Sequence, residues 1–126
     1  MFADRKATAM IPVGDLARAK AWYNDKLGLK ATDELPEEMG AILELEGVHA
    51  MLYTTQFAGT AQNTMLAFTS PDLVADVAAM RAKGVVFLDY DMPGLKTENG
   101  IAMFGPVKNA WCNDSEGNIL AFVEGM

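Results

Sequence analysis

Two stretches of this chain repeat one another. Thr8-Ala-Met-Ile-Pro-Val-Gly-Asp15-Leu16 leads into ARAKAWYNDKLG, and Met65-Leu-Ala-Phe-Thr-Ser-Pro-Asp72-Leu73 leads into VADVAAMRAKG. Each runs an apolar strand into an Asp-Leu pair, then a helix, then a glycine, Gly28 or Gly84. A unit used twice restricts the chain to folds built from two like halves.

Within the first helix Leu16, Ala19, Tyr23 and Leu27 recur at helical spacing, and within the second Leu73, Val77 and Met80 do the same. Each stripe suits packing against a sheet. Asp15 is expected at the first helix's N-terminus, and Ser70 followed by Pro71 reads as the N-cap and first-turn proline of the second. Strand character follows each helix: roughly Leu29 to Asp33, Gly40 to Glu46 and Val48 to Thr55, then Val85 to Tyr90, Val107 to Asn113 and Asn118 to Glu124. Glu34 to Met39, Gln56 to Gln62 and Asp91 to Gly100 read as surface loops, the middle one linking the halves.

The 126 residues, 51% hydrophobic, suit one domain with a real core. A net charge of -7 would repel phosphates, so nucleic acid partners are not expected. No apolar run reaches the ~20 residues of a membrane span, and MFADRKATAM lacks a long apolar signal region, so a cytoplasmic protein without membrane partners is expected. Cys112 is the single cysteine, which rules out an internal disulfide; it is expected to be buried in a strand.

IPVGDLARAKAWYNDKLGL, LAFTSPDLVADVAAMRAKGV and the final AWCNDSEGNILAFVE together resemble the vicinal oxygen chelate superfamily, which includes glyoxalase, bleomycin-resistance and extradiol dioxygenase proteins. The resemblance implies an α+β fold of two tandem βαβββ modules, about 1–58 and about 63–126, whose curved mixed sheet encloses a cleft within a single domain. It also implies a homodimer. Metal-dependent members hold a divalent ion with His, Gln or Glu from the first strand and a later strand of each module. Those positions map here to Thr8, Tyr53, Met65 and Ala121. None is a customary ligand for a hard cation, so the resemblance implies no metal and no other cofactor. The one histidine, His49, is expected at a half-exposed turn, on the face of its strand that Tyr53 shares.

Strand alternation turns Met10, Met51, Tyr53, Met65, Ala67, Trp111 and Ala121 inward, with Asn109 and Asn113 as polar contacts. Met10, Met51, Tyr53, Met65, Asn109 and Trp111 are the candidate ligand-binding residues. Nine methionines supply an adaptable apolar lining, and Tyr53, Trp111, Phe57 and Phe104 offer rings for a flat or cationic group. Asp89 to Gly105 reads as a mobile lid. The function expected is binding or sequestration of a small apolar or cationic molecule, as in bleomycin-resistance-type proteins. The alternative is a glyoxalase-like lyase or isomerase, or a dioxygenase, with a noncanonical metal site; catalysis without metal would fall to Tyr53, Asp89, Asp91 or His49.

Overall fold

The computed structural model describes residues 1–32, 35–36 and 39–126. The first half runs β1 (Thr8–Val13), α1 (Leu16–Leu27), β2 (Ala31–Thr32), β3 (Ala41–Leu43) and β4 (His49–Thr54). They form a four-stranded sheet in the order β1-β4-β3-β2, with β1 parallel to β4 and the other pairs antiparallel. The second half runs β5 (Thr64–Thr69), α2 (Leu73–Ala82), β6 (Asp91–Met92), β7 (Leu95–Glu98), β8 (Ile101–Phe104), β9 (Val107–Asn113) and β10 (Ile119–Glu124). Its sheet has six strands in the order β5-β10-β9-β8-β7-β6, again with the first strand parallel to the last. This is the α+β arrangement of two strand-helix-strands units that the repeat implies.

Both helices start at the aspartate of the repeat. Asp15 accepts from Arg18 N at 3.0 Å, and Asp72 from Ala75 N at 3.1 Å. The expectation of Ser70 as second cap is corrected: Ser70 lies before Pro71, its hydroxyl accepts from Asp72 N at 3.2 Å, and it donates to Asp76 Oδ2 at 2.5 Å. α1 ends at Gly28, whose φ of 69° is the left-handed geometry glycine adopts without strain.

Four segments differ from the sequence reading. Val85 to Tyr90 contributes only one bridge, Phe87 to Cys112. The first-half segments shrink to Ala31–Thr32 and Ala41–Leu43, while Asp33, Glu34, Glu37 and Glu38, on which part of the expected strand and loop fall, lie outside the described residues. Asp91 to Gly100, expected as a loop, is a run of hairpins. Asn99 (φ 53°) and Gly100 (φ 79°) join β7 to β8 with both central residues at positive φ, the two-residue turn whose twist matches paired strands.

The two helices and one face of each sheet share a single core. Ile11, Val13, Ala50 and Leu52 from the first sheet, Ala110, Cys112, Leu120 and Phe122 from the second, and Ala19, Tyr23, Leu73 and Val77 from the helices form one contiguous cluster. Cys112 is fully enclosed, and burial together with the Asp114 charge pushes its thiol up to about 12, which leaves it an inert apolar group.

Candidate functional site

Because the helices cover one face of each sheet, period-2 alternation sends the other residues of every strand outward. On the first sheet the ladder aligns Met10, Met51 and Ile42 in one row, places Tyr53 opposite Pro12, and sets His49 opposite Thr8. Met10 is 48% exposed, while Met51 and Tyr53 are half-buried. His49 Nδ1 and Thr8 Oγ1 are hydrogen bonded at 2.8 Å, so the histidine belongs to this strand face.

On the second sheet the outward row runs Ala67, Ala121, Trp111, with Asn109 opposite Val123 and Ala102. Trp111 meets the edge of Tyr90 at 5.4 Å and an interplanar angle of 86°. Thr97 holds that corner by accepting from Tyr90 N at 2.8 Å and donating to Asp89 Oδ1 at 3.0 Å. The segment read as a lid is therefore tied down at its base. Ala121 is only 4% exposed.

The structure does not gather the six candidate binding residues into one hollow. Met10, Met51 and Tyr53 lie on one sheet, and Asn109 and Trp111 on the other. Met65 sits where the β5–β10 register shifts; it has no ladder partner and packs against the edge of the core. Asn113 is exposed opposite Ile119, Phe57 is 65% exposed on the linker, and Phe104 is 43% exposed at the end of β8. Two hollows, of about 300 and 360 Å³, are lined by other residues.

The register also bears on where metal donors would stand. Met51 stands opposite Met10 as Ala121 stands opposite Ala67, so Met51 is the internal counterpart of Ala121, and Tyr53 lies two residues further along. With either residue, the set offers one hydroxyl-bearing side chain or two, together with thioether and methyl groups. That chemistry does not fit a hard divalent cation. Among the described residues, no three His, Cys, Asp or Glu side chains converge.

The polar centre that sequence reasoning missed is the Asp114–Asn118 turn. Asp114 is buried and accepts from Tyr23 OH at 2.6 Å, from the backbone N of Glu116 (2.8 Å) and Asn118 (2.9 Å), and from Asn118 Nδ2 at 2.9 Å. Glu116 reaches the start of α1: Gly14 N and Asp15 N both donate to its Oε1 at 2.9 Å, and Arg18 Nε to its Oε2 at 2.8 Å. Burial pushes the Glu116 carboxyl up, but the bonds from Arg18, Ser115, Asp15 and Gly14 outweigh it and hold the group at about 2. Burial, reinforced by Asp114, pushes the Tyr23 hydroxyl far above its ordinary value. Asn118 Nδ2 donates to Pro12 O at 2.8 Å. The turn is a clasp between the halves and is occupied with holding them.

The family description "Glyoxalase/Bleomycin resistance protein/Dioxygenase superfamily" matches residues 6–122. A glyoxalase/bleomycin resistance protein from Catenulispora acidiphila DSM 44928 superposes with a TM-score of 0.66 at 26% identity, over 96% of this chain and 98% of that one. Lactoylglutathione lyase from Agrobacterium tumefaciens gives 0.67 at 18% identity, over 97% and 94%. TnmS3, an antibiotic binding protein from Streptomyces sp. CB03234, gives 0.61 at 20% identity, over 98% of each chain. No curated protein matches the sequence significantly.

Proposed function

The chain belongs to the glyoxalase/bleomycin resistance protein/dioxygenase superfamily, and from that premise we propose that it binds a small apolar or cationic molecule without a metal. One observation carries the reading: Thr8, Met51 or Tyr53, Met65 and Ala121 stand where a metal-dependent relative would need carboxylates or imidazoles, and the outward faces around them present Met10, Ile42 and Trp111, with the His49 imidazole bonded to Thr8. Thioethers adapt to the shape of a ligand, and the Trp111 ring offers a stacking surface for a flat or positively charged group. The similarity to an antibiotic binding protein points the same way.

A homodimer belongs to the same proposal. The two faces turn away from a common core, so a second copy that sets its Trp111 face against the Met51 face of the first would enclose a ligand that one chain leaves open. Light scattering on the purified protein should give twice the mass of one chain.

The test of metal independence is elemental analysis after incubation with Ni²⁺, Zn²⁺, Fe²⁺ and Mn²⁺ and removal of the excess, followed by titration with a panel of flat apolar and cationic antibiotics. Expected are no stoichiometric ion and saturable binding that Trp111→Ala abolishes. An ion retained at about one per chain would overturn the reading in favour of a lyase, isomerase or dioxygenase.

A further inference from the structure

The hollow of about 300 Å³ lies away from both outward sheet faces, where the C-terminal ends of α1 and α2 meet β5 and β10. Its apolar wall is Leu29, Phe68, Met80 and Phe122, with the Phe68 and Phe122 rings stacked at 5.6 Å. At its rim two lysines cross between the helix ends. Lys26 Nζ donates to Lys83 O and pairs with Asp25 Oδ2 at 3.0 Å, while Lys83 Nζ donates to Asp25 O at 3.0 Å.

An ammonium carries three N–H donors and accepts nothing. Among the described residues Lys26 therefore keeps one donor and Lys83 two; Lys83 donates to a backbone carbonyl, and the one Asp25 carboxylate acts on both ammoniums. Asp76, the acid that also lines the hollow, is engaged by Ser70 and lies seven residues before Lys83. Asp76 makes no ion pair with either lysine among the described residues. An apolar wall beside ammonium groups whose remaining N–H donors face solvent matches one ligand chemistry.

We propose that this inter-helix hollow is a second binding site, for a small molecule with a flat apolar body and a single carboxylate, whose acid group Lys83 and Lys26 hold while its body lies against Phe68 and Leu29. The site is independent of the sheet faces, and its ligand is opposite in charge to the one they would favour.

Titration with 2-naphthoate, followed by amide chemical shifts, is the test, with uncharged 2-naphthamide as control. Naphthoate should saturate the Gly28–Leu29 and Phe68–Ser70 amides and bind at least about fivefold more tightly than the amide, the size expected of a charge-assisted contact at a partly exposed rim. Lys83→Gln should remove that difference. Ala79→Trp, on the exposed surface of α2 beside the hollow, should block binding, with circular dichroism confirming the fold. Lys83→Gln alone tests the charge if the larger side chain disturbs packing. Equal affinity for the amide, no saturation by about 5 mM, or binding lost in Trp111→Ala but kept in Ala79→Trp would overturn the proposal. The last outcome would move the probe to the sheet faces and leave the proposed function standing.

Discussion

The turn Glu44–Val48 and the turn Asp114–Asn118 occupy the same place in their halves. Each joins the two central strands, each carries an acid, a second acid two residues on and then a glycine, and Gly47 and Gly117 share the same left-handed geometry, at φ 80° and 85°. Their fates differ. Glu44 and Glu46 are exposed, whereas Asp114 and Glu116 are buried and bonded to the other half. The reason is what lies opposite. The second turn meets the approach to α1, where Gly14 N and Asp15 N need an acceptor that the Asp15 cap, given to Arg18 N, does not supply. The N-terminus of α2 already has one from its own half, since Leu73 N donates to Glu124 Oε1 at 2.7 Å. A repeated unit thus yields one structural clasp and one free turn, and the free turn lines a hollow of about 360 Å³ beside β5.

The most severe way to break that contrast is Asp114→Ala, which strands several buried donors. It should destabilise the protein by about 3 kcal/mol in denaturant melts, while Glu44→Ala should stay within about 0.5 kcal/mol. Equal losses would mean that the clasp does not hold the halves together.

Acid should separate the two turns next. The Glu116 carboxyl is depressed in the folded state, to about 2 from an ordinary 4.5, so its contribution is complete above about 4.5 and disappears as pH falls toward 2. Thermal melts across that window should show falling stability that Glu116→Gln flattens and Glu46→Gln leaves unchanged. A smaller loss, about 1 kcal/mol, is expected for Tyr23→Phe, which removes a single buried hydrogen bond to Asp114. Met51→Ala sharpens the contrast from the other side. At this outward position stability should change by less than about 1 kcal/mol, while affinity for a compound identified by titration falls about three- to tenfold.

The repeat, both helices and the central strands were legible because each depends on local pattern: Asp-Leu before an apolar stripe, glycine after it. Asn99-Gly100 is a strong hairpin signal that the reading of this stretch as a mobile loop passed over. Met10, Met51 and Trp111 reached their faces by simple alternation, but Met65 did not, because a register shift beside it cannot be read from one strand. Asp114 and Glu116 look like solvated turn acids in sequence. Their partners Tyr23 and Arg18 are about a hundred residues away, and nothing in a single sequence marks so distant a pairing. The Lys26–Lys83 crossing was hidden for the same reason.

The parallel pairing of first and last strands also sets an order of assembly. On the ribosome, the first sheet can close once β4 has emerged, but β10 is the final strand in sequence and lies between β5 and β9. Until residues 119–124 are made β5 is therefore not joined to the β9-β8-β7-β6 ladder, and α1 must wait for its Glu116 partner. Long-range closure of this kind slows folding and leaves apolar strands uncovered for longer. The second half is thus the stretch whose apolar strands stay uncovered longest, and a chain shortened before β10 would keep the first sheet but leave β5 without its partner in the second.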